Sequence, residues 1–362
     1  MKNTELAIVG AGPAGLMAAV QAAKAGAQVL LMDRSTYLGG QLIKQTHKFF
    51  GSKEVFAGER GFEIARKLVN EVEHTPGITV WKNATVLGYY PDGVLTVKHD
   101  GEFCTVKPQK IVVATGAAEK NLAFPNNDLP GIYGAGAVQT LMNVYGVQPA
   151  KRVVMVGAGN IGVIVAYQLL QAGVEVAAIV EAASEGGAYH VHAAKVKRCG
   201  VPILTSTTIK SAYGAGRLEG VTLQRLDERF QPIPGTEQDL PVDGLCLAVG
   251  LTPLTEVLWQ ADCKMEFVPE LGGYVPWRNA NLMTTHRDIY VAGDVAGIEE
   301  ASTAMAEGKL AGLHAAFALG YQNSDFAEEY KQVSSQLSAL RAGPLSGKIR
   351  FGLSKITLEE VG

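Results

Sequence analysis

The chain has 362 residues, 47% of them hydrophobic and 19% charged, with a formal net charge of −3 at pH 7. That length and composition allow a large core in two or more domains. The near-balanced charge, without a basic run, gives no electrostatic basis for nucleic-acid binding, and no apolar stretch reaches the roughly 18 residues a membrane span needs.

Met1-Lys2-Asn3-Thr4 leads straight into the first strand pattern, so no signal peptide and a cytoplasmic setting are expected. That strand, Leu6-Ala7-Ile8-Val9, runs into Gly10-Ala11-Gly12-Pro13-Ala14-Gly15, then an apolar helix pattern, then Val29-Leu30-Leu31-Met32 closed by Asp33 and Arg34. Strand, glycine turn, helix, strand and acid in this order form the grammar of a dinucleotide-binding βαβ unit. Gly10 permits the tight turn, Gly12 lets backbone approach a pyrophosphate at the positive end of the helix, and Gly15 lets the helix pack closely. Asp33 is placed to accept hydrogen bonds from ribose hydroxyls, and its charge disfavours a 2′-phosphate.

Gly39-Gly40-Gln41-Leu42 follows, then a polar segment in which Lys44, Lys48 and Lys53 flank His47. His47 has two readings, a general base or anion-binding group and a solvated basic loop. A helix is predicted from Gly61 to Val72, and Pro91-Asp92-Gly93 reads as a hairpin turn between Val86 and Val97. Cys104-Thr105-Val106 continues this antiparallel layer. A separate buried strand, Lys110-Ile111-Val112-Val113, ends in Ala114-Thr115-Gly116 and returns to the first sheet.

Residues 124–131 read as a connector. The glycine pattern then recurs, as Val153-Val154-Met155-Val156 followed by Gly157, Gly159, Asn160, Ile161 and Gly162, with Glu181 closing the second strand. Tyr189, His190 and His192 beyond Gly186-Gly187 either shape a nucleotide pocket or simply pack. Gly244-Leu245-Cys246-Leu247-Ala248-Val249-Gly250 repeats the strand-then-glycine ending, so the chain carries an internal duplication.

Ile289-Tyr290-Val291-Ala292-Gly293-Asp294 delivers an acid at the carboxyl end of a strand, where open α/β sheets bind ligands. Asp294 reads as a ligand to a cofactor's sugar chain or as a helix cap. A helix rich in small residues runs from about Ala301 to Leu319; its N-terminus favours negative charge, and Glu300 and Thr303 are candidates for hydrogen bonds to a ring. In the tail, Tyr330, Val333, Leu337 and Leu340 have helical spacing, suited to covering the domain or docking a partner. Cys104, Cys199, Cys246 and Cys263 form no C-x-x-C pair and no zinc or iron–sulfur spacing, so no metal and no disulfide-reductase chemistry are expected.

With these pieces in order, residues 4–320 resemble the two-dinucleotide-binding flavoprotein superfamily, which includes the pyridine nucleotide–disulfide reductases. The resemblance implies an α/β fold of two Rossmann-like three-layer nucleotide-binding domains, the second inserted into the first. It implies an FAD-binding domain at 1–120 and 251–325, an NAD(H)- or nucleotide-binding domain at 121–250, and a tail at 326–362. FAD would be held by Gly10, Gly12, Pro13, Ala14, Gly15, Asp33, Arg34, Gln41, Ala114, Thr115, Gly116, Gly293, Asp294 and Ala301. NAD or another nucleotide would be held by Gly157, Gly159, Asn160, Ile161, Gly162 and Glu181. Catalytic roles stay open, with His47, Glu300 and Thr303 as candidates.

Two stretches, Gly39 to Gly51 and Leu129 to Ala137, are similar to the flavoprotein subunits of the opine oxidase, hydrogen cyanide synthase, proline or hydroxyproline dehydrogenase and sarcosine oxidase α group. This implies an FAD-dependent oxidoreductase passing electrons between NAD(H) and a small substrate or partner flavoprotein in amine or amino-acid oxidation. The alternative is a subunit holding ATP or ADP at the second site and supporting a catalytic amine or imino-acid dehydrogenase. A second flavoprotein subunit or a homo-oligomer is the implied assembly. The sequence stops at Gly362 without the cysteine-rich iron–sulfur segment of many of these subunits.

Overall fold

The structure is a computed structural model that describes residues 1–49, 53–321, 325–343 and 346–358. Positions 50–51 of the Gly39 to Gly51 stretch, and 344–345 and 359–362 of the tail, lie outside the described residues. The chain forms two compact units, Met1–Ala118 with Leu251–Gly362, and Glu119–Gly250.

The first unit opens with β1 (Lys2–Val9), α1 (Pro13–Lys24), β2 (Val29–Met32), α2 (Gly61–His74) and β3 (Ile78–Trp81). It continues with β4 (Ala84–Tyr89), β5 (Leu95–His99) and β6 (Glu102–Val113). The strand order is β3-β2-β1-β6-β5-β4. Because successive side chains point to opposite faces, Leu6, Ile8, Val29 and Leu31 join the core beneath the helices. Ala7, Val9, Leu30 and Met32 join the core on the other face, with Leu95 and Val97 of the antiparallel ribbon. Strands buried on both faces in this way read as continuous apolar runs. The hairpin places Val86 opposite Val97.

One sequence expectation is corrected here. Cys104-Thr105-Val106 and Lys110-Ile111-Val112-Val113 are not two strands but the two halves of β6. The first half pairs antiparallel with β5 as far as Val106, and the second runs parallel to β1. Pro108 falls after the β5 ladder ends at Val106 and before the β19 ladder on the same edge begins at Ile111. One strand edge there carries no ladder, so a missing N–H is tolerated.

β7 (Ala117–Glu119) leads into the second unit. There β8 (Ile132–Gly134), α3 (Ala135–Asn143), β9 (Arg152–Val156), α4 (Asn160–Gln171), β10 (Glu175–Val180), α5 (His190–Arg198) and β11 (Ile203–Leu204) are followed by β12 (Thr207–Tyr213), β13 (Gly220–Arg225), β14 (Gln238–Pro241) and β15 (Gly244–Leu247). The sheet order is β11-β10-β9-β15-β8, every pair parallel. Val153 and Met155 face the helices, while Val154 and Val156 face the antiparallel β12-β13-β14 layer. Each unit is therefore a three-layer Rossmann-like assembly.

The chain returns through β16 (Leu251–Pro253), which pairs with β7, then α6 (Glu256–Gln260), β17 (Met265–Val268) and β18 (Gly273–Pro276). β19 (Ile289–Val291) adds to the first sheet beside β6, Ile289 opposite Ile111. α7 (Ala301–Ala318), α8 (Phe326–Arg341) and α9 (Gly347–Ser354) complete the unit. α8 covers the helical face of the first core with Val333 and Leu337, both buried, while the Tyr330 hydroxyl donates to Asn281 Oδ1 at 2.6 Å. No described helix is long and apolar enough to cross a membrane.

Candidate functional site

The first glycine turn is built from contacts that tolerate no side chain at two positions and leave a third open. Gly10 has φ +103°, and a Cβ there would lie 2.3 Å from the Ala114 carbonyl oxygen. A Cβ on Gly15 would lie 1.8 Å from the Gly10 carbonyl oxygen, so the turn and the helix rest directly on each other. A Cβ on Gly12 would meet nothing nearer than the Gly40 Cα at 4.0 Å. Gly12 caps α1 and Pro13 occupies its first turn, where a missing N–H is harmless. The remaining amides of that turn point out of the helix end beside this open face, a geometry that suits a pyrophosphate.

Asp33 follows β2. Its Oδ2 accepts the Ala11 N–H at 2.6 Å and its Oδ1 the Ser35 N–H at 2.8 Å. The carboxylate thus braces the glycine turn and keeps lone pairs for further donors. Arg34 and Gln41 are exposed at the rim. Gly39 donates to the Ala11 carbonyl at 2.9 Å, bringing the Gly39-Gly40 segment onto the same turn.

Segments distant in sequence converge on this point. Ala114, at the end of β6, donates to the Val9 carbonyl at 2.8 Å, and the Thr115 hydroxyl donates to the Leu254 carbonyl at 2.7 Å. The Gly116 Cβ position is open. A Cβ on Gly293 would stand 3.0 Å from that of Ala14, which brings Asp294 to the start of α1. Burial pushes the Asp294 carboxyl up to about 7; a backbone hydrogen bond near Glu299 opposes this, and the charges of Glu307 and Glu299 add to it. Ala301 begins α7 behind it, with no acid in the first turn and no side-chain cap, so its leading amides are free to meet negative charge. Thr303 is buried on that turn and Glu300 exposed.

The second turn repeats the first closely. Gly157 has φ +102° and its Cβ would lie 2.4 Å from the Ala248 carbonyl oxygen. A Cβ on Gly162 would lie 2.0 Å from the Gly157 carbonyl oxygen, and the Gly159 position is open. Glu181 Oε2 accepts the Ala158 N–H at 2.8 Å and Oε1 the Ala183 N–H at 3.1 Å. Asn160 Oδ1 accepts the Tyr189 N–H at 2.8 Å, drawing the 182–189 loop back over the turn, while His192 packs inside at 7% exposure. Ile161 stands exposed at the mouth.

His47 lies on the segment before α2, stacked on Phe49 with ring centroids 5.8 Å apart. Among the described residues no group of three or more His, Cys, Asp or Glu could hold a metal. Three charged groups of the first site escaped the sequence reading: Glu307, Arg278 and Arg341. Glu307 Oε2 accepts the Gly293 N–H at 2.8 Å from inside the protein, and both arginines reach its other oxygen. The signal for Glu307 was present, an acid buried in an otherwise small and apolar helix face; its partners lie too far away in sequence to be found.

Comparison with known proteins agrees with this architecture. The A subunit of opine oxidase from Agrobacterium tumefaciens (strain Ach5) is 29% identical over 326 residues, 86% of this chain and 65% of that relative. The alpha subunit of sarcosine oxidase from Corynebacterium sp. (strain P-1) is 29% identical over 337 residues, 88% of this chain and 33% of the relative. The chain thus spans between a third and two thirds of these relatives. Among solved structures, L-proline dehydrogenase from P. horikoshii aligns with TM-score 0.68 and 23% identity, over 91% of this chain and 59% of that one. T. acidophilum thioredoxin reductase aligns with TM-score 0.71 and 21% identity, over 88% and 99%. With residues 4–308 matching the pyridine nucleotide-disulphide oxidoreductase family model, the chain belongs to that family of FAD-dependent oxidoreductases.

Proposed function

We propose that the first unit holds FAD and the second NAD(H), and that the chain passes electrons between NAD(H) and a small substrate or a second flavoprotein subunit in amine or amino-acid oxidation. The observation that carries this reading is the convergence on one open glycine turn of Asp33, the Ala114–Gly116 strand end and the Gly293-Asp294 segment. FAD, when bound, supplies the hydride and electron chemistry. The chain's groups bind and orient. The α1 amides beyond Gly12 take the pyrophosphate, Asp33 takes ribose hydroxyls, Asp294 takes the sugar chain, and the α7 N-terminus at Ala301 faces the negative side of the ring. Pro13, Ala14, Gly15, Arg34 and Gln41 line this site. Proton transfer is assigned to no residue; His47, Glu300 and Thr303 are the candidates.

In the second unit, the open Gly159 position and the α4 N-terminus at Asn160 and Ile161 suit a second pyrophosphate, and Glu181 disfavours a 2′-phosphate, which supports NAD(H) over NADP(H). The family's pyridine-nucleotide character supports NAD(H) over ATP or ADP. The relatives bear the names of subunits, which supports an assembly with a partner. We read the chain as cytoplasmic and as no disulfide reductase. Burial pushes the Cys246 thiol up to about 12 and raises that of Cys263, which makes both poor nucleophiles at neutral pH. All four cysteines are free.

Anaerobic mixing of the purified protein with NADH, followed at the flavin absorption band, tests the reading. Rapid bleaching is the expected result. An unchanged spectrum together with copurified ATP or ADP would replace NAD(H) with the alternative occupant and leave catalysis to a partner.

A further inference from the structure

We propose that Arg341, at the end of α8, is a positioning residue for the flavin site, holding the 293–300 segment that carries Asp294; this rests on the assignment of FAD to the first unit. The segment is gripped at three points. The Gly293 N–H donates to Glu307 Oε2 at 2.8 Å, the Ala296 carbonyl accepts from the Arg278 guanidinium, and the Glu299 carboxylate accepts from Arg341 through Nε at 3.1 Å and Nη2 at 2.5 Å. The grips are tied to one another at Glu307, whose Oε1 accepts from Arg341 Nη2 at 2.6 Å and from Arg278 Nη2 at 3.3 Å. Arg341 therefore ties the Glu299 carboxylate of the segment to the Glu307 carboxylate of α7.

Burial makes this cluster different from the other ion pairs. The Glu307 and Arg278 side chains are 2% and 5% exposed, Glu299 and Arg341 9% and 15%, whereas a pair such as Lys24 and Glu71 is 55% and 39% exposed. Exposed pairs contribute little, but removing one member of a buried network strands the charge of the others. Two guanidinium groups balance two carboxylates here. Without Arg341, Glu299 and Glu307 face a single Arg278, beside Asp294. Lysine cannot replace the planar fork that spans both acids. The family match ends at residue 308, so a residue beyond it, on a helix docked by Val333 and Leu337, completes the loop that meets the cofactor.

Full-length protein stripped of FAD and titrated with it tests this, with flavin fluorescence giving the dissociation constant, spectroelectrochemistry the flavin midpoint potential, and hydrogen exchange the order of 293–300. Arg341→Met is expected to weaken FAD binding about tenfold or more, shift the potential and speed exchange in that segment. Arg341→Lys should fall between Arg341→Met and wild type. Adding Glu299→Gln to Arg341→Met, which removes a stranded charge, should recover at least about threefold of the affinity. Val72→Ala, at the far end of α2 in the same core, opens a cavity away from the network and should lower thermal stability while leaving affinity and potential unchanged. Equal FAD affinity and potential in wild type and Arg341→Met would overturn the proposal, as would an equal loss in Val72→Ala at matched stability. If Arg341→Met fails to fold, the Lys and double variants decide: wild-type affinity in Arg341→Lys overturns it. Wild-type protein that binds no FAD overturns the FAD assignment and this inference with it.

Discussion

The two glycine turns share their local geometry to within about 0.2 Å at the paired close approaches, yet they differ in what else covers them. The first is overlain by segments from across the chain: the Gly39-Gly40 loop, the end of β6, Gly293 and helix α7, whose Gly308 and Gly312 would set a Cβ 2.1 and 2.3 Å from the Ala14 and Ala18 carbonyl oxygens. Around the second, the 182–189 loop folds back over the turn from the end of the same βαβ unit, and α4 meets α3 through a buried hydrogen bond from Gln139 to Gln168 at 2.9 Å. A glycine turn with its acid specifies that a nucleotide binds. What specifies which nucleotide is the company the turn keeps: the second turn takes the end of β15 at Ala248 from distant sequence, whereas the first takes the end of β6 at Ala114 and, beyond that, Gly293 and α7.

The contrast should be large in stability measurements. A side chain at Gly308 meets backbone that cannot move aside, and Gly308→Val is expected to destabilise the first unit by about 3 kcal/mol or more in denaturant unfolding. Gln139→Leu, at the corresponding helix contact of the second unit, should cost only about 1–2 kcal/mol. Comparable losses would mean that the two helix contacts are equivalent.

A smaller effect is expected at Asp294. Its carboxyl is held near 7 against an ordinary value of 3.8, so in FAD-free protein the neutral form's contribution is fully present below about 4 and is lost as pH rises through 7. Between pH 5 and 8 the thermal midpoint of FAD-free wild type should therefore fall more than that of Asp294→Asn, by roughly 3 °C or more. Parallel pH profiles would show that the carboxyl is not buried against Glu307 and Glu299 as described.

Much of this was legible in the sequence. The parallel strands were legible as continuous apolar runs, because a strand buried on two faces has few residue types to choose from. The two three-layer units were implied by the family resemblance, and the relatives in opine and sarcosine oxidation agree with the closer resemblance carried by the Gly39-Gly40 and Leu129-Pro130 stretches. The glycine turns were legible because close approach admits no other residue. The continuity of β6 through Pro108 was not legible, since whether a proline breaks a strand depends on which edge is paired, and that is a property of the sheet. The Glu307, Arg278 and Arg341 cluster was invisible for a similar reason. Each arginine resembles a surface residue until the segment that carries it is docked, the stretch after β18 for Arg278 and α8 for Arg341, and Arg341 lies 34 positions from its Glu307 partner.

The difference between the turns is tested most directly by the flavin content and NADH reduction of Gly12→Val beside Gly159→Val, substitutions at the two positions where a Cβ has room but a pyrophosphate would not. Gly12→Val should purify folded and colourless. Gly159→Val should keep FAD at the wild-type ratio and no longer be bleached by NADH. A yellow Gly12→Val protein, or loss of FAD from Gly159→Val, would contradict the assignment of FAD to the first turn and NAD(H) to the second.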